Sequence, residues 1–159
     1  MITSLTEHQT QASFFTEVAY YRYRNRADFM PALFYAVLNG AWIAGDGHRK
    51  SALLEKYRSE GWRPGIADVM YDQPRGRFNK LVFEFKREDK RNKKEKGILT
   101  GGLSPEQIEY LTSIKPYAFV RVVYTVEEAV AEFDHYMNLP VFGSEEAWTV
   151  QDILNGVEK

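Results

Sequence analysis

The sequence predicts a single mixed α/β domain built around a small central sheet. Its 159 residues suit one domain, and 44% hydrophobic and 14% aromatic residues are enough to form a buried core. Helical and strand patterns follow one another in the order helix, strand, helix, strand, strand, helix, strand, helix, which is typical of this class. We expect the domain to span residues 1–139, followed by an acidic tail over residues 140–159 with a short helix that packs on the domain or on a dimer partner.

The first half of the chain contains two helical patterns and one strand pattern. In the first pattern the apolar residues recur at helical spacing, and Ser4 or Thr6 can cap its start. A short apolar run that ends at Asn39-Gly40 predicts a strand and a turn. Gly61 is a typical stop for the helix before it. The predicted elements are a helix over residues 5–24, a strand over 32–37, a loop over 45–48 and a helix over 51–60.

The second half begins with two strand patterns, one around Asp68 and one over residues 81–86, joined by a turn that contains proline and glycine. Ser104-Pro105-Glu106-Gln107 predicts a helix start, because it combines a cap, a proline at the first position and a capping-box partner. Thr125 is the predicted cap of the last helix. The other predicted elements are a charged, mobile stretch over residues 87–96, a helix over 104–114, a strand over 117–124 and a helix over 126–137.

The net charge of −1 hides an uneven distribution of charged residues. From Glu127 to the end there are eight acids and one base, so that stretch carries −7 and residues 1–126 carry +6. Between Arg77 and Lys96 there are nine bases and four acids. A basic segment of this kind suits a polyanionic partner, although a solvated charged loop has the same composition.

Composition and motifs exclude several classes of function. The chain has no cysteine, which excludes disulfides, thiolate zinc sites and cysteine catalysis. No apolar run is long enough to span a membrane, and the first residues lack the basic and apolar regions of a secretory signal. A phosphate-binding P-loop and the histidine spacing of zinc sites are both absent. We therefore expect a cytoplasmic protein with neither a membrane segment nor a nucleotide cofactor.

The most informative residues are Asp68, Glu84 and Lys86. Alternation along a strand places Glu84 and Lys86 on one face, with Phe83 and Phe85 on the other. If the two strands pair as a hairpin, Asp68 lies across from Glu84. Two carboxylates with the backbone carbonyl of Phe85 are suitable ligands for Mg²⁺ or Mn²⁺, and a neighbouring lysine completes the apparatus for phosphodiester hydrolysis. The alternative is a surface hairpin whose solvent face carries charges.

These residues stand among motifs that together resemble the PD-(D/E)XK nuclease superfamily, and more narrowly its VRR-NUC family of virus-type replication-repair nucleases. The matching segments are Glu7 with Gln11, Leu38-Asn39-Gly40, Glu60 to Asp68, Phe83-Glu84-Phe85-Lys86, Leu103 to Gln107, and Val120 to Val123 with Glu127-Glu128-Ala129. Their order matches along residues 5–137. One departure is Ala67, which stands where the superfamily name has proline; proline supplies no ligand, so the chemistry is unaffected.

The resemblance implies a restriction-endonuclease-like fold, with a mixed central sheet flanked by helices. It implies that Glu7 is a further acidic residue near the metal and that Gln107 reaches the site to position water or phosphate. Each has a structural alternative: Glu7 as an acid that stabilises the helix dipole, and Gln107 as a capping-box residue. It also implies a homodimer that cuts branched DNA such as a Holliday junction or a flap, in replication, recombination or repair.

The basic residues supply predicted contacts to DNA phosphates. They are Arg22, Arg24, Arg26, His48, Arg49, Lys93, Lys94 and Lys96. The leading hypothesis is thus a metal-dependent, structure-selective DNA endonuclease. The alternatives are a nucleic-acid-binding protein that keeps the fold without catalysis, and a restriction-type, sequence-specific nuclease.

Overall fold

The computed structural model describes residues 5–37, 47–61 and 63–141, with only the backbone described over 47–52. Its helices are α1 (Glu7–Thr16), α2 (Gly47–Ser59), α3 (Pro105–Ile114) and α4 (Val126–Met137). Its strands are β1 (Phe34–Ala36), β2 (Val69–Tyr71), β3 (Lys80–Phe85), β4 (Lys94–Glu95), β5 (Ile98–Leu99) and β6 (Ala118–Val123). A π-helical segment over Glu17–Arg22 follows α1, and 3₁₀ turns cover Pro31–Leu33 and Glu88–Lys90.

The central sheet is mixed, as the resemblance implies. Its strand order is β1-β2-β3-β6; β1 pairs antiparallel with β2, and β2 pairs antiparallel with β3. The β3–β6 pair is parallel, because the chain crosses back through α3 before it enters β6. In the β2–β3 register Val69 lies opposite Phe83, so the next position along places Asp68 opposite Glu84. This is the pairing that the hairpin prediction requires.

Helices cover both faces of the sheet. On one face α1 and α4 enclose an aromatic core around the buried Phe14, whose ring centroid lies 5.6 Å from those of Phe83 and Phe85 and 5.8 Å from that of Phe133. On the other face α3 packs its Leu111 in a smaller cluster. Alternation along β3 therefore gives its odd-numbered residues to the aromatic core and its even-numbered residues to the α3 face. Glu84 belongs to the even set.

The caps of three helices match their predictions. Thr6 and Ser104 each form a complete capping box, with Gln9 and Gln107 as the respective partners. The Thr125 hydroxyl accepts a hydrogen bond from the N–H of Glu128 at the start of α4. These starts depend on local side-chain to backbone bonds, which the sequence specifies directly.

Three predicted elements differ from the structure. The first helix changes from α to π geometry at Glu17 instead of continuing regularly to residue 24. The second helix begins at Gly47, within the predicted loop. The stretch 87–96, predicted as mobile, contains a 3₁₀ turn and one strand of the β4–β5 hairpin. The predicted turn at residues 38–40 and the tail from residue 142 lie outside the described residues.

A buried arginine joins three parts of the chain. Arg75 is 1% exposed; its Nη1 donates to the carbonyl of Met137 at 2.6 Å, and its Nη2 donates to the carboxylate of Asp28 at 2.9 Å. The carbonyls of Asp28 and Leu139 and the side chain of Gln73 accept the remaining hydrogen bonds. The guanidinium thus connects the β2–β3 turn with the end of α4 and with the loop before β1.

Across the residues that the structure describes, none of the helices combines the length and the apolar character needed to cross a bilayer.

Candidate active site

Asp68 is fixed beside the end of β3. It directly precedes β2, and its Oδ2 accepts a hydrogen bond of 2.8 Å from the N–H of Phe85. Because the N–H and the C=O of one residue in a regular strand point to the same side, the Phe85 carbonyl is directed toward the β2 side as well. This orientation agrees with the predicted backbone ligand, which stays a prediction.

Glu84 is the buried centre of the site. Its side chain is fully buried, and its Oε1 accepts hydrogen bonds from Lys86 Nζ at 2.5 Å and from Gln107 Nε2. Its Oε2 is buried, and none of the described residues donates a hydrogen bond to it. Burial raises the pKa of Glu84 from its ordinary 4.5 to about 8; the charge of Asp68 adds to the rise, and the ammonium of Lys86 opposes it. An added cation would stabilise the ionised form of such a buried carboxylate.

Lys86 is held from both its backbone and its stem. Its N–H donates to the carbonyl of Val123 on β6 at 3.0 Å, and the residue is only 8% exposed. Gly102 lies against it at φ +86; a Cβ at this position would be 3.6 Å from Lys86 Cδ and 2.7 Å from Lys90 Cβ. The sequence contains the glycine pair that allows this approach, but nothing in the pattern shows what the second glycine contacts.

Gln107 completes the predicted capping box and also reaches Glu84, while its predicted positioning of water or phosphate stays a prediction. Its Oε1 accepts a hydrogen bond of 2.9 Å from the N–H of Ser104, which completes the capping box. Its Nε2 donates to Glu84 Oε1. The same amide therefore starts α3 and orients the buried carboxylate.

Gly65 sets the position of α3 beside the site. It has φ +81, and an added Cβ would lie 2.7 Å from the carbonyl carbon of Glu106 and 2.9 Å from the backbone nitrogen of Gln107. The approach to Asp68 and the first turn of α3 thus touch without an intervening side chain. The local sequence around Gly65 does not show this contact, because its partner Glu106 lies 41 residues further along the chain.

Glu7 lies near this group without joining it directly. Its Oε1 accepts a hydrogen bond of 3.2 Å from the N–H of Arg87, and its charge contributes the smallest part of the rise in the pKa of Glu84. Within residues 5–37, 47–61 and 63–141, no three Asp, Glu or His side chains are grouped closely enough to hold a metal ion. Glu7 as a direct ligand therefore stays a prediction.

Comparison with known proteins identifies the fold. No family model matches the chain, and no curated protein matches its sequence. A solved structure described as a VRR_NUC domain protein superimposes with a TM-score of 0.65, covering 89% of this chain and 96% of that chain at 17% sequence identity. The chain has the VRR_NUC fold. This agreement confirms the predicted mixed α/β architecture.

The residues predicted to contact DNA lie in different regions of the structure. Arg22 pairs with Asp134 at 2.6 Å and Arg26 with Asp28 at 2.6 Å. The exposed Arg24 lies between them in sequence. From Glu7 to Arg22 the helical rise amounts to roughly 20 Å, so these three arginines are not brought to the site. Lys93, Lys94 and Lys96 instead lie in the β4–β5 hairpin, whose base adjoins Lys86.

His48 and Arg49 have their backbone in α2, and their side chains lie outside the described residues. Their predicted contacts with DNA stay predictions.

We expect Glu84→Gln to stabilise the metal-free protein, increasingly so as pH rises. The folded pKa of about 8 exceeds the ordinary 4.5, so the folded state binds more protons than the unfolded state between these values. Stability supplied by protonated Glu84 is complete below about pH 4.5 and is lost as pH rises through about 8. The variant removes this loss, and we expect a gain of roughly 2–4 kcal/mol at pH 8. Urea unfolding in a chelator from pH 5 to 8 measures it.

The matched control for this variant is Glu109→Gln, which changes an exposed carboxylate on α3. We expect it to leave the pH dependence of the unfolding free energy unchanged. A Glu84→Gln protein that is less stable than the parent at pH 8 would contradict the assignment of Glu84 as a strained buried acid.

We also expect Gly65→Ala to destabilise the fold by more than backbone strain alone. Gly61 has a similar φ of +95 but nothing within 4 Å of an added Cβ, so Gly61→Ala measures the strain by itself. That strain costs about 1 kcal/mol. Gly65→Ala must in addition push α3 away, which we expect to cost about 1–3 kcal/mol more. Urea unfolding of both variants gives the difference, and equal losses would refute the close contact.

Proposed function

We propose that this chain is a divalent-metal-dependent DNA endonuclease whose active site consists of Asp68, Glu84 and Lys86. The observation that carries the proposal is the buried Glu84, which has one oxygen bonded to Lys86 and the other without a partner in the described part of the chain. An ion pair that serves only the fold would satisfy both oxygens, since an unpaired buried oxygen costs stability. The VRR_NUC fold, shared with the solved domain protein, supports the same conclusion.

The donor set fits Mg²⁺ or Mn²⁺. Both ions prefer oxygen ligands, and the carboxylates of Asp68 and Glu84 would hold the ion together with the Phe85 carbonyl. Glu84 Oε2 supplies a donor that no other described group occupies. When bound, such an ion polarises a phosphate oxygen and lowers the pKa of a coordinated water.

The protein's own residues provide positioning and charge. The Lys86 ammonium lies at the buried site and can stabilise negative charge that develops on the phosphate as the phosphodiester is attacked. Gln107 holds Glu84 Oε1, which fixes the carboxylate plane, and the missing side chain at Gly102 leaves room for the lysine stem. This arrangement keeps the reacting groups in place before the substrate binds.

DNA is the proposed substrate because the segment beyond Lys86 is basic. Residues 87–99 contain six bases and three acids. We further propose, on the resemblance to VRR-NUC nucleases, that the DNA is branched and that two copies of the chain act as a homodimer. Two sites related by a dimer axis would cut both strands of a junction.

The test is cleavage of a labelled four-way junction and of a linear duplex of matched sequence, each with Mg²⁺ or Mn²⁺. We expect cleavage that requires the metal and prefers the junction. Salt-dependent binding of both substrates without cleavage would favour a non-catalytic DNA-binding protein. Cleavage of the duplex at one defined sequence would favour a restriction-type enzyme. Sedimentation equilibrium measures the oligomeric state independently.

A further inference from the structure

The β4–β5 hairpin forms a projection separate from the central sheet. Its strands pair with Lys94 opposite Leu99 and Glu95 opposite Ile98, and the connecting Lys96-Gly97 has φ angles of +50 and +82. Positive φ at both central residues is typical of the tight two-residue hairpin turn. Two residues per strand give a ribbon too short to be stable alone, so its base must hold it.

The base of the hairpin is anchored beside the catalytic lysine. The carbonyl of Lys93 accepts the N–H groups of Thr100 and Gly101 at 2.9 and 3.2 Å. The hydroxyl of Tyr124 donates to the Gly101 carbonyl at 3.1 Å, and the next residue, Gly102, packs on Lys86. From Gly102 to the turn the chain can extend roughly 15 Å. That length corresponds to about four or five base pairs of duplex.

The strand after the turn presents one apolar side chain on each face of the ribbon, beside a charged cross-strand partner: Ile98 lies opposite Glu95, and Leu99 lies opposite Lys94. Ile98 is 71% exposed and Leu99 is 61% exposed. Successive residues of a strand point to opposite faces, so the two side chains lie on either side of the ribbon. Protein docking surfaces usually concentrate their apolar groups on one face, whereas an insertion between two stacked planes needs an apolar surface on both.

Lysines flank Ile98 and Leu99 in the hairpin. Lys94 and Lys96 are exposed, and among the ion pairs of the described chain neither takes part, whereas Lys93 pairs with Glu95 at 2.8 Å. Apolar side chains between cationic groups match a nucleic acid, in which base faces lie between phosphates.

We propose that the β4–β5 hairpin is a wedge that inserts Ile98 and Leu99 at the branch point of a DNA junction. Lys94 and Lys96 contact the phosphates on either side, and the anchored base places the cleaved phosphate at Lys86. The inference rests on the proposed nuclease function and specifies which element recognises the branch.

The experiment measures binding and base unstacking in place of cleavage. A four-way junction carries 2-aminopurine next to the branch, and the protein is the Lys86→Ala variant in Ca²⁺. We expect binding to increase the fluorescence, because an unstacked 2-aminopurine is no longer quenched. Adding Ile98→Ser and Leu99→Ser should remove the increase and lower the preference for junction over duplex by about tenfold or more. Lys94→Gln with Lys96→Gln should weaken binding to both DNAs and flatten its salt dependence.

The control is Tyr117→Ser, which removes a 64%-exposed aromatic side chain just before β6, at the end of the sheet away from Lys86. It should change neither the fluorescence nor the preference. A wild-type protein that cuts no DNA but still unstacks the branch base would refute the nuclease proposal and support the wedge. If the Ile98→Ser, Leu99→Ser protein keeps its full preference for the junction, the wedge proposal is wrong. If this variant no longer forms a dimer, the two residues belong to a dimer contact, and the wedge proposal is also wrong.

Discussion

Lys86→Ala should lower the rate of DNA cleavage by about 100- to 1,000-fold and leave Mn²⁺ bound. The magnitude is that of removing one preorganised charged donor from a transition state. The lysine ammonium is not a metal ligand, so the affinity for Mn²⁺ should persist. Single-turnover cleavage of a junction gives the rate, and titration calorimetry gives the affinity. Asp68→Asn and Glu84→Gln should lose both cleavage and Mn²⁺ binding, because each removes a charged ligand.

The matched control for the lysine is Lys80→Ala. Lys80 starts the same strand and, within the described residues, forms an ion pair with Asp72 alone, at 3.7 Å between two partly exposed side chains. The Lys80→Ala protein should cleave the junction at the wild-type rate. Lys86→Ala also leaves Glu84 without its cation, so Lys86→Gln should accompany it as a variant that keeps a hydrogen-bond donor. If Lys86→Ala loses Mn²⁺ affinity as severely as Asp68→Asn, the lysine has no separate catalytic role.

Arg75→Ala should destabilise the protein by about 3–5 kcal/mol. The guanidinium is buried, and its loss leaves the Asp28 carboxylate and the carbonyl of Met137 without that donor. The cost arises because the buried guanidinium would leave a cavity and the buried Gln73 would lose a donor, whereas the partly exposed Asp28 keeps its pair with Arg26. Urea unfolding at neutral pH measures the loss. A change of this size is a large part of the stability of a domain.

Arg77→Ala is the control for this prediction. Arg77 lies in the same turn but is exposed, with its guanidinium 5.2 Å from the ring of Phe78. We expect it to cost less than about 1 kcal/mol. Arg75→Lys should lose nearly as much as the alanine variant, since one ammonium cannot reach acceptors in three segments. A loss below about 1 kcal/mol for Arg75→Ala would show that the network contributes little to the fold.

The relative positions of Asp68, Glu84 and Lys86 were predictable because they depend on strand alternation and on one strand pairing. Strand alternation fixes the face that Glu84 and Lys86 share, and a hairpin of ordinary register brings Asp68 opposite Glu84. The capping box of Gln107 follows from local sequence in the same way, whereas its reach to the site was implied only by the resemblance to VRR-NUC nucleases. These inferences used only residues close in sequence, or one strand pairing.

The residues that hold the surrounding segments in place were not predictable from local sequence. Arg75, Gly65 and Gly102 act through segments distant in sequence, and their local patterns indicate only a turn. The surroundings of the arginines near residue 24 were not predictable from local sequence either, and their contacts with DNA stay predictions. A helix carries them roughly 20 Å from Glu7, and acids in α4 and in the loop before β1 neutralise two of them.

The order of synthesis determines when the residues of the β2–β3 hairpin are buried. The ribosome completes the 19 residues from Asp68 to Lys86 before it makes α3, β6 and α4. Until those elements arrive, both carboxylates stay hydrated and repel each other only weakly. Dehydration of Glu84 therefore falls in the last stage of assembly, when α3 and β6 close over it. If the proposed metal site is correct, a cation available at that moment would also stabilise the folding chain.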